Sequence, residues 1–319
     1  MVTKYLIIGV GFFLSRLPYS ALEIIVHALA RLYLALPLKR KKLLFSNLTY
    51  AFPYLPKLKI KDIARKTTVC LFEMGFFSLI YPHLSRYERR ATMLFSQEIE
   101  NKLKSLRKGS RPILILLPHV SLFEAIVTSQ VFRPYGGKSL GAIYRPNSNP
   151  SIDTCVNRSR TDLGLRIFSR KNGLIQAKRH LDQGNWLALL FDQNAGDSGT
   201  LDLFLNRIVS YTSLPDTLIK STKALPIFVF PKRVSFFKSE LLIEDIAVDT
   251  NETVSSIVHK KLESLILADS NGLPEWLWSH GKWKVHARVE SRYRMIVKRK
   301  HIIKDKKIER VTNFFVRLP

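Results

Sequence analysis

The sequence contains few cysteines, since Cys70 and Cys155 are the only two among its 319 residues. Two cysteines provide neither a disulfide framework nor a cysteine–histidine zinc cluster, and they fit a reducing compartment. The G-x-S-x-G nucleophile elbow and the G-x-x-x-x-G-K-[ST] phosphate loop are missing as well. Covalent serine or cysteine catalysis therefore has little support, and what remains is a histidine base that activates a substrate group directly.

Acidic residues are scarce. The chain has 25 aspartates and glutamates against 51 lysines and arginines, which gives a formal net charge of +26 and a pI near 10.2. Such a balance points to an anionic partner: nucleic acid, an acidic protein or an anionic membrane. A basic nucleic-acid-binding protein is the remote alternative, because no recognised nucleic-acid motif accompanies the charge.

No apolar run near the N-terminus is long enough to span a bilayer comfortably, since the run at residues 5–14 is too short. Residues 20–37 follow as a predicted helix on which Glu23, His27 and Arg31 form one narrow polar stripe. A helix that is apolar around most of its surface suits a membrane interface or a hydrophobic groove. The alternative is a buried N-terminal helix of a soluble protein.

From residue 111 onward the pattern alternates between apolar strands and helices, which predicts an α/β fold with a buried, mostly parallel central sheet flanked by helices. The predicted strands lie at residues 113–117, 140–144, 186–191, 225–230 and 241–246. The predicted helices lie at residues 121–131, 152–163, 173–182 and 214–222.

Polar residues follow these strands at the carboxyl ends, where open α/β sheets bind ligands. His119 follows the first strand, and the second ends in Tyr144-Arg145-Pro146. The third ends in Asp192-Gln193-Asn194, and the fourth in Pro231-Lys232-Arg233. The convergence favours a site at this edge of the sheet, and the alternative is that these residues are polar because they lie in loops.

His119 stands where the first strand passes into a helix, and the S-x-x-E sequence from Ser121 to Glu124 is a typical helix start. With His119 in the turn and Glu124 in the first helical turn, the imidazole can fold back over the helix start. A carboxylate on one ring nitrogen then fixes the tautomer and supports the imidazolium. Alternatively, Glu124 is the capping-box acid of Ser121 and His119 is an ordinary turn residue.

The segment from His119 to Glu124 resembles the H-x-x-x-x-[DE] motif of glycerolipid-type acyltransferases. With its further blocks, the chain resembles the lipid A biosynthesis late acyltransferases of the lauroyl/myristoyl type. Those blocks occur in the family's order as far as about Lys284. They are N-L at 47–48, A-F-P at 51–53, Y-R-P at 144–146, N-P at 149–150, Arg160 before Gly164, D-Q at 192–193, W-S-H at 278–280 and K-W-K at 282–284.

Some positions depart from the family pattern. Residues 204–207 read F-L-N-R where the family has an aromatic–glycine pair, and the threonine-containing segment reads Y-T-S at 211–213. Gly281 stands where family members often have arginine. These departures concern the acceptor and the acyl-chain preference more than the reaction type, so another hydroxylated glycolipid or phospholipid remains an alternative acceptor.

The resemblance implies a glycerol-3-phosphate-acyltransferase-like fold and transfer of a fatty acyl chain from a thioester to a hydroxyl of a lipid A precursor. The donor would be acyl-carrier protein or coenzyme A, and no metal or other cofactor is implied. His119 would act as the general base and Glu124 would orient it.

Three further residues are candidate substrate-binding residues. Arg145 and Arg160 would grip phosphates of the acceptor or of the donor's prosthetic arm, and Arg145 is also a candidate oxyanion donor. Each arginine could instead form a surface salt bridge. Asp192 would hold one of these arginines or cap a turn, and Gln193 is taken as a turn residue.

The tryptophan-rich block at residues 276–283 has two interpretations, an interfacial aromatic belt or a buried core element. The basic cluster K-R-K-K at residues 39–42 marks a cytoplasmic side. We therefore predict a membrane-associating helical region at residues 1–38, an acyltransferase domain at 39–286 and a basic extension at 287–319. The expected location is the cytoplasmic face of the cell inner membrane, on an anionic lipid surface. The basic extension either binds lipid head groups or is solvated.

Overall fold

The computed structural model describes residues 2–128, 132, 138–146, 149–170, 172–248 and 252–284. The predicted basic extension at residues 287–319 lies outside the described residues, as does the end of the helix predicted at residues 121–131.

Four helices open the chain: α1 Val2–Leu14, α2 Tyr19–Ala35, α3 Lys39–Ala51 and α4 Lys57–Ile80. Leu22, Val26 and Ala30 recur every four residues on α2 and are buried where that helix packs against α4. Helix α1 also packs on α4, and a Cβ at Gly11 would lie 2.5 Å from the carbonyl oxygen of Leu79. Glycine at this position therefore permits the close helix approach.

The membrane association predicted for these helices stays a prediction. Within the described residues, no single helix combines the length and apolar character needed to cross a bilayer. The α2–α3 pair meets the length and composition criteria jointly, but the two helices meet at a bend of 87°. The apolar helix at Tyr5–Leu14 is shorter.

The centre of the molecule is a seven-stranded sheet in the order β1-β9-β8-β2-β5-β3-β4. Strands β8, β2, β5, β3 and β4 run parallel to one another, while β9 is antiparallel to β8. Its strands are β1 Met93–Leu94, β2 Ile113–Leu117, β3 Leu140–Tyr144, β4 Arg166–Ser169, β5 Trp186–Leu190, β8 Leu225–Ser235 and β9 Lys238–Asp245. The predicted mostly parallel sheet is confirmed.

Helices cover both faces of this sheet. They are α5 Arg86–Ala91, α6 Gln97–Lys108, α7 Phe123–Thr128, α8 Pro150–Asp162, α9 Leu174–Asp182, α10 Leu214–Thr222 and α11 Val254–Ala268. Strand β2 shows the two-layered core, because Leu114 and Leu116 pack into one apolar cluster, and Ile113, Ile115 and Leu117 pack into the other. A strand buried on both faces reads as a continuous apolar run.

Four strands have no counterpart in the sequence prediction. Two of them, β1 and β4, have two and four residues, which is too short for a recognisable hydrophobic period. The other two, β6 Thr200–Phe204 and β7 Arg207–Tyr211, form a separate antiparallel hairpin. Leu205 and Asn206 make its turn with positive φ values of 51° and 57°.

Candidate active site

Strands β2 and β5 bring His119 and Asp192 together. The two strands are parallel neighbours, and Leu117 at the end of β2 pairs with Leu190 at the end of β5. His119 and Asp192 each lie two residues beyond these paired ends. Since parallel strands in register end at the same edge of a sheet, the two side chains meet although 73 residues separate them.

The imidazole of His119 contacts the carboxylate of Asp192 directly. The distance from Nδ1 to Oδ1 is 2.6 Å, and the backbone N–H of His119 donates to Oδ2 at 2.9 Å. The aspartate side chain is fully buried, whereas 13% of the histidine side chain is exposed. The carboxylate therefore fixes the ring from inside, and the ring stays within reach of solvent.

Two further buried side chains, those of Trp276 and Lys282, donate hydrogen bonds to Asp192. The indole Nε1 of Trp276 donates to Oδ2 at 2.7 Å, and Nζ of Lys282 donates to the backbone carbonyl at 2.7 Å. Burial opposes ionisation of the carboxyl group, but the electrostatic attraction and hydrogen bond of the His119 ring outweigh it, with help from Lys282. These groups hold the pKa of Asp192 well below its usual range, so the carboxylate is ionised.

This arrangement assigns the ring tautomer. An ionised carboxylate only accepts hydrogen bonds, so Nδ1 of His119 carries the proton and Nε2 keeps a lone pair. The side-chain Nε2 of Gln193 lies 3.1 Å from that ring nitrogen and donates to it. The nitrogen that can act as a base therefore faces Gln193, for which the sequence predicted a turn position and no role in the site, although it belongs to the D-Q block at 192–193.

The segment from residue 275 to residue 284 closes over the histidine turn. Val120 forms an antiparallel bridge with Trp276, and the backbone N–H of Leu277 donates to the carbonyl of His119 at 3.0 Å. The N–H of Ser121 donates to the carbonyl of Glu275 at 3.2 Å. Residues far apart in the sequence thus share one hydrogen-bonded layer around the imidazole.

Two asparagines fasten that segment to the rest of the molecule. The amide of the buried Asn47 donates at 2.7 Å to the carbonyls of both Trp278 and His280. The amide of Asn194 donates to three carbonyls at 3.1, 3.0 and 2.8 Å, those of Gly281, Lys282 and Lys284. The blocks that carry the family resemblance therefore meet here in one structural unit.

The role predicted for Glu124 is different in the structure. The carboxylate on Nδ1 of His119 belongs to Asp192, while Glu124 forms an ion pair with Arg160. Nε of Arg160 donates to Oε2 at 3.2 Å, and Nη2 contacts Oε1. Register between strands brings Asp192 to the ring, whereas the helical start at α7 directs Glu124 to α8. The prediction that Asp192 holds an arginine is also corrected, because its partners are His119, Trp276 and Lys282.

The arginine predictions have separate outcomes. Arg160 forms the salt bridge that was the alternative to phosphate binding, and the pair is partly buried, with side-chain exposures of 21% for Arg160 and 15% for Glu124. Arg145 is exposed one residue beyond the end of β3. Whether either arginine binds a phosphate remains a prediction. His119 and Asp192 form one pair, and Glu124 and Arg160 form a second pair on the helices beside it.

The S-x-x-E start is followed by a helix, but the hydroxyl of Ser121 has another partner. Its Oγ lies 2.8 Å from Oγ of Ser239 on β9, and its backbone φ is +46°. A positive φ is rare for serine and is tolerated where surrounding contacts determine it. This strained residue lies two positions after His119 and sets the direction of the turn.

Trp276 and Trp278 are 1% and 0% exposed, so the alternative of a buried core element is confirmed and the interfacial belt is wrong. Lys282 is also fully buried, over the ring of Phe204 at 5.1 Å. Burial lowers the pKa of Lys282 to about 8, although Asp192 raises it. The sequence carried no signal for this burial beyond the clustering of tryptophans around the lysine.

Metal ligands do not gather in the described part of the chain, where no group of three or more histidine, cysteine or acidic side chains is arranged to hold an ion. The buried histidine His280 is held by a hydrogen bond between Nδ1 and the carbonyl of Leu277 at 2.6 Å. Burial lowers the pKa of His280 to about 4, against the opposing effect of Asp192. It is therefore neutral at pH 7, and its ring packs edge-on against Trp276.

Fold and site together define a class: an α/β protein with an oriented, partly exposed imidazole at the carboxyl edge of its sheet. The family model for bacterial lipid A biosynthesis acyltransferases matches residues 1–285. The chain belongs to this family and is an acyltransferase. The predicted family assignment is confirmed.

Curated relatives agree with this assignment. The chain is 25% identical over 299 residues to a lipid A biosynthesis lauroyltransferase of Escherichia coli (strain K12). The matched region covers 90% of this chain and 93% of the relative. The chain is also 25% identical over 174 residues to lipid A biosynthesis acyltransferase 2 of Shigella flexneri, over 51% of this chain and 54% of that protein.

Proposed function

We propose that this protein transfers a fatty acyl chain from an acyl thioester to a hydroxyl group of a lipid A precursor, with His119 as general base and Asp192 as the residue that positions it. The observation that carries the proposal is the 2.6 Å contact between Nδ1 and the buried carboxylate, which leaves Nε2 as the basic nitrogen. The names of the curated relatives support the acceptor class.

The reaction follows from this geometry. The acceptor hydroxyl donates its proton to Nε2 of His119 while its oxygen attacks the thioester carbonyl carbon. Asp192 stabilises the imidazolium that forms, and the tetrahedral intermediate then expels the thiolate, which receives the proton. General-base assistance of this kind contributes roughly 10²- to 10⁴-fold in rate.

The Glu124–Arg160 pair has a role of its own in this proposal. It lies on α7 and α8, and the first of these helices begins directly after the histidine turn. A guanidinium held by one carboxylate presents a fixed positive edge, which matches phosphate or the oxygens of a glycolipid head group. We expect its loss to weaken acceptor binding more than the proton transfer.

The His119→Ala variant tests the proposal. Purified protein is incubated with a lipid A precursor and with radiolabelled acyl-carrier protein or acyl-coenzyme A, and labelled product is counted. We expect His119→Ala to lose at least about 10²-fold in kcat, because it removes the base. Its melting temperature should fall, since the buried carboxylate of Asp192 loses the ring N–H, so circular dichroism at the assay temperature checks that the variant is folded. Near-normal turnover would refute the mechanism. Mass spectrometry of lipid A from cells with and without the protein identifies the acceptor.

We also propose that α1 and the outer face of α2 lie against the cytoplasmic face of a membrane. Leu6, Phe13 and Ile24 are 64%, 65% and 71% exposed there, although large apolar residues normally avoid water. The basic residues 39–42 begin α3 at the end of this apolar surface, where they can meet anionic head groups.

Vesicle binding tests this second proposal. We expect the double variant Leu6→Asp/Phe13→Asp to bind vesicles that contain anionic lipid several-fold less than the wild type does, because it places charge in the apolar surface. Leu58→Asp is the matched control, since Leu58 is 79% exposed but lies at the start of α4. Equal sedimentation of the double variant and the control would contradict the proposal.

A further inference from the structure

The side-chain amide of Gln193 donates a hydrogen bond to Nε2 of His119, the nitrogen that has to accept the substrate proton. Its Nε2 lies 3.1 Å from Nε2 of His119, and the ring tautomer set by Asp192 makes the amide the donor and the imidazole the acceptor. An acceptor hydroxyl has to use the same lone pair to transfer its proton. The amide and the hydroxyl therefore compete for one position, and Gln193 has to move before the base can act.

The backbone around Gln193 is fixed on both sides, so the movement belongs to the side chain. Asp192 before it is held through its carboxylate by His119 and Trp276 and through its carbonyl by Lys282. Asn194 after it is held by three carbonyl acceptors, and its own Oδ1 accepts the N–H of Gly196 at 2.6 Å. A glutamine side chain has three rotatable bonds, and Gln193 is only half-buried, so its amide can rotate without movement of the backbone.

The position reached after this rotation has a chemical use. In a reactive complex, the hydroxyl oxygen lies about 3 Å from Nε2 of His119, and the carbonyl carbon lies about 3 Å beyond it. The carbonyl oxygen is then within the radius swept by an amide that starts in contact with Nε2. An N–H donor aimed at that oxygen stabilises the negative charge that develops on it.

We propose that Gln193 is a catalytic residue: its amide caps His119 in the free enzyme and then donates to the acyl carbonyl oxygen in the tetrahedral intermediate. The inference rests on the proposed function. As the C–O bond forms, the carbonyl π electrons move to the oxygen that accepts from Gln193, and the hydroxyl proton moves to Nε2. When the carbonyl re-forms, the C–S bond breaks and the thiolate takes that proton.

Steady-state kinetics of Gln193→Ala separate capping from stabilisation of the oxyanion. We expect kcat to fall about 10²- to 10³-fold, the loss typical of one oxyanion donor, because the developing charge loses its N–H. KM for the acceptor should stay equal or fall, since nothing competes for Nε2. Gln176→Ala is the matched control, because Gln176 is exposed on α9, and it should leave both constants unchanged.

A second variant, Gln193→Glu, keeps the size of the side chain and replaces the donor with a carboxylate. We expect kcat to fall at least as far as in Gln193→Ala, and the acidic limb of kcat/KM to move to higher pH, because a second carboxylate stabilises the imidazolium. A shift of this limb is a property of the titrating site and does not arise from misfolding. An unmoved limb with normal kcat would overturn the inference.

The same assays keep this inference separate from the proposed function. If His119→Ala loses transfer while Gln193→Ala keeps wild-type kcat, Gln193 does not donate in the intermediate and only the further inference fails. If His119→Ala keeps its turnover, the general-base function fails. Loss of kcat in His119→Ala, Gln193→Ala and Gln193→Glu, with each variant folded at the assay temperature by circular dichroism, supports both.

Discussion

Asp192 is the residue that holds the candidate site together. Its carboxylate accepts the ring N–H and the backbone N–H of His119 and the indole N–H of Trp276, while its carbonyl accepts from Lys282. Burial of an isolated carboxylate would cost several kcal/mol. The three N–H donors and the nearby positive charge offset that cost, so the charge is stable in the interior and always available to the imidazole.

The substitution Asp192→Asn should disable the base without removing the ring. An asparagine has one acceptor oxygen for the same donors, and its NH₂ group favours the tautomer in which Nδ1 carries the lone pair. Nε2 of His119 would then carry the proton and could not accept another. We expect kcat to fall about 10³- to 10⁴-fold, measured in the acyl-transfer assay.

Asp197→Asn provides the control for this prediction. Asp197 lies five residues further along the same loop region and is exposed. We expect the control to stay within twofold of wild type. If Asp192→Asn also remained within that range, the tautomer argument would be wrong, and Glu124 would again be the leading candidate for the orienting acid.

At the scale of elements, the segment from residue 275 to residue 284 determines the shape of the site although it belongs to no helix or strand. It bridges to the histidine turn and supplies Trp276 and Lys282 to Asp192. Asn47 and Asn194 satisfy five of its carbonyl groups through hydrogen bonds. Irregular backbone can be buried only when its polar groups find such partners.

Two tryptophans in this segment allow a matched comparison. Trp276→Phe removes the indole donor to Asp192, whereas Trp278→Phe removes a donor to the carbonyls of Gly272 and Leu273. A hydrogen bond to a charged group contributes about 1.5–3 kcal/mol. If most of it is lost from the transition state, kcat in Trp276→Phe should fall roughly 10- to 100-fold.

Trp278→Phe should lower the melting temperature without a comparable loss of kcat, because its partners are not part of the imidazole network. Both variants are followed by thermal unfolding and by steady-state kinetics. Equal losses of kcat in the two variants would mean that these tryptophans only stabilise the fold and that the hydrogen bond from Trp276 to Asp192 has no separate effect on catalysis. A larger kinetic loss in Trp276→Phe would locate the effect at Asp192.

At the scale of the whole molecule, buried histidines make stability depend on pH. His259 on α11 is 5% exposed, its Nδ1 bonds the carbonyl of Ser255 at 2.7 Å, and it packs among aromatic rings. Burial, with a smaller effect from Lys282, lowers the pKa of His259 from 6.5 to about 3. The unfolded chain therefore binds this proton first, and stability falls as pH falls below about 6.5.

Replacement of His259 by phenylalanine should weaken this dependence. Between pH 7.5 and pH 5.5, a histidine that titrates only in the unfolded state costs about 1.4 kcal/mol of stability. We expect urea unfolding of His259→Phe to lose about that much less than wild type over the same interval. Burial raises the pKa of Glu73 and Glu275, which gives the opposite slope, but these groups are present in both proteins. Identical pH slopes would contradict the assignment.

Local patterns in the sequence were sufficient for the main elements and for the place of the site. The apolar runs predicted β2, β3 and β5, and His119 and Asp192 were both found at carboxyl ends of strands, where ligands bind. The acyltransferase family was predicted from short sequence blocks that resemble those of the family and occur in the same order. Each strand and each family block is a short run of neighbouring residues, although the blocks are spread from residue 47 to residue 284.

Only the tertiary structure decided which carboxylate meets the imidazole. Sequence proximity favoured Glu124, five residues from His119, but the structure selects Asp192 because the register of β2 against β5 places both side chains beyond paired strand ends. The burial of Trp276 and Lys282 was decided in the same way, by a segment that returns to the histidine turn from the far end of the domain. Contacts of this kind depend on strand register and chain return, which no local period encodes.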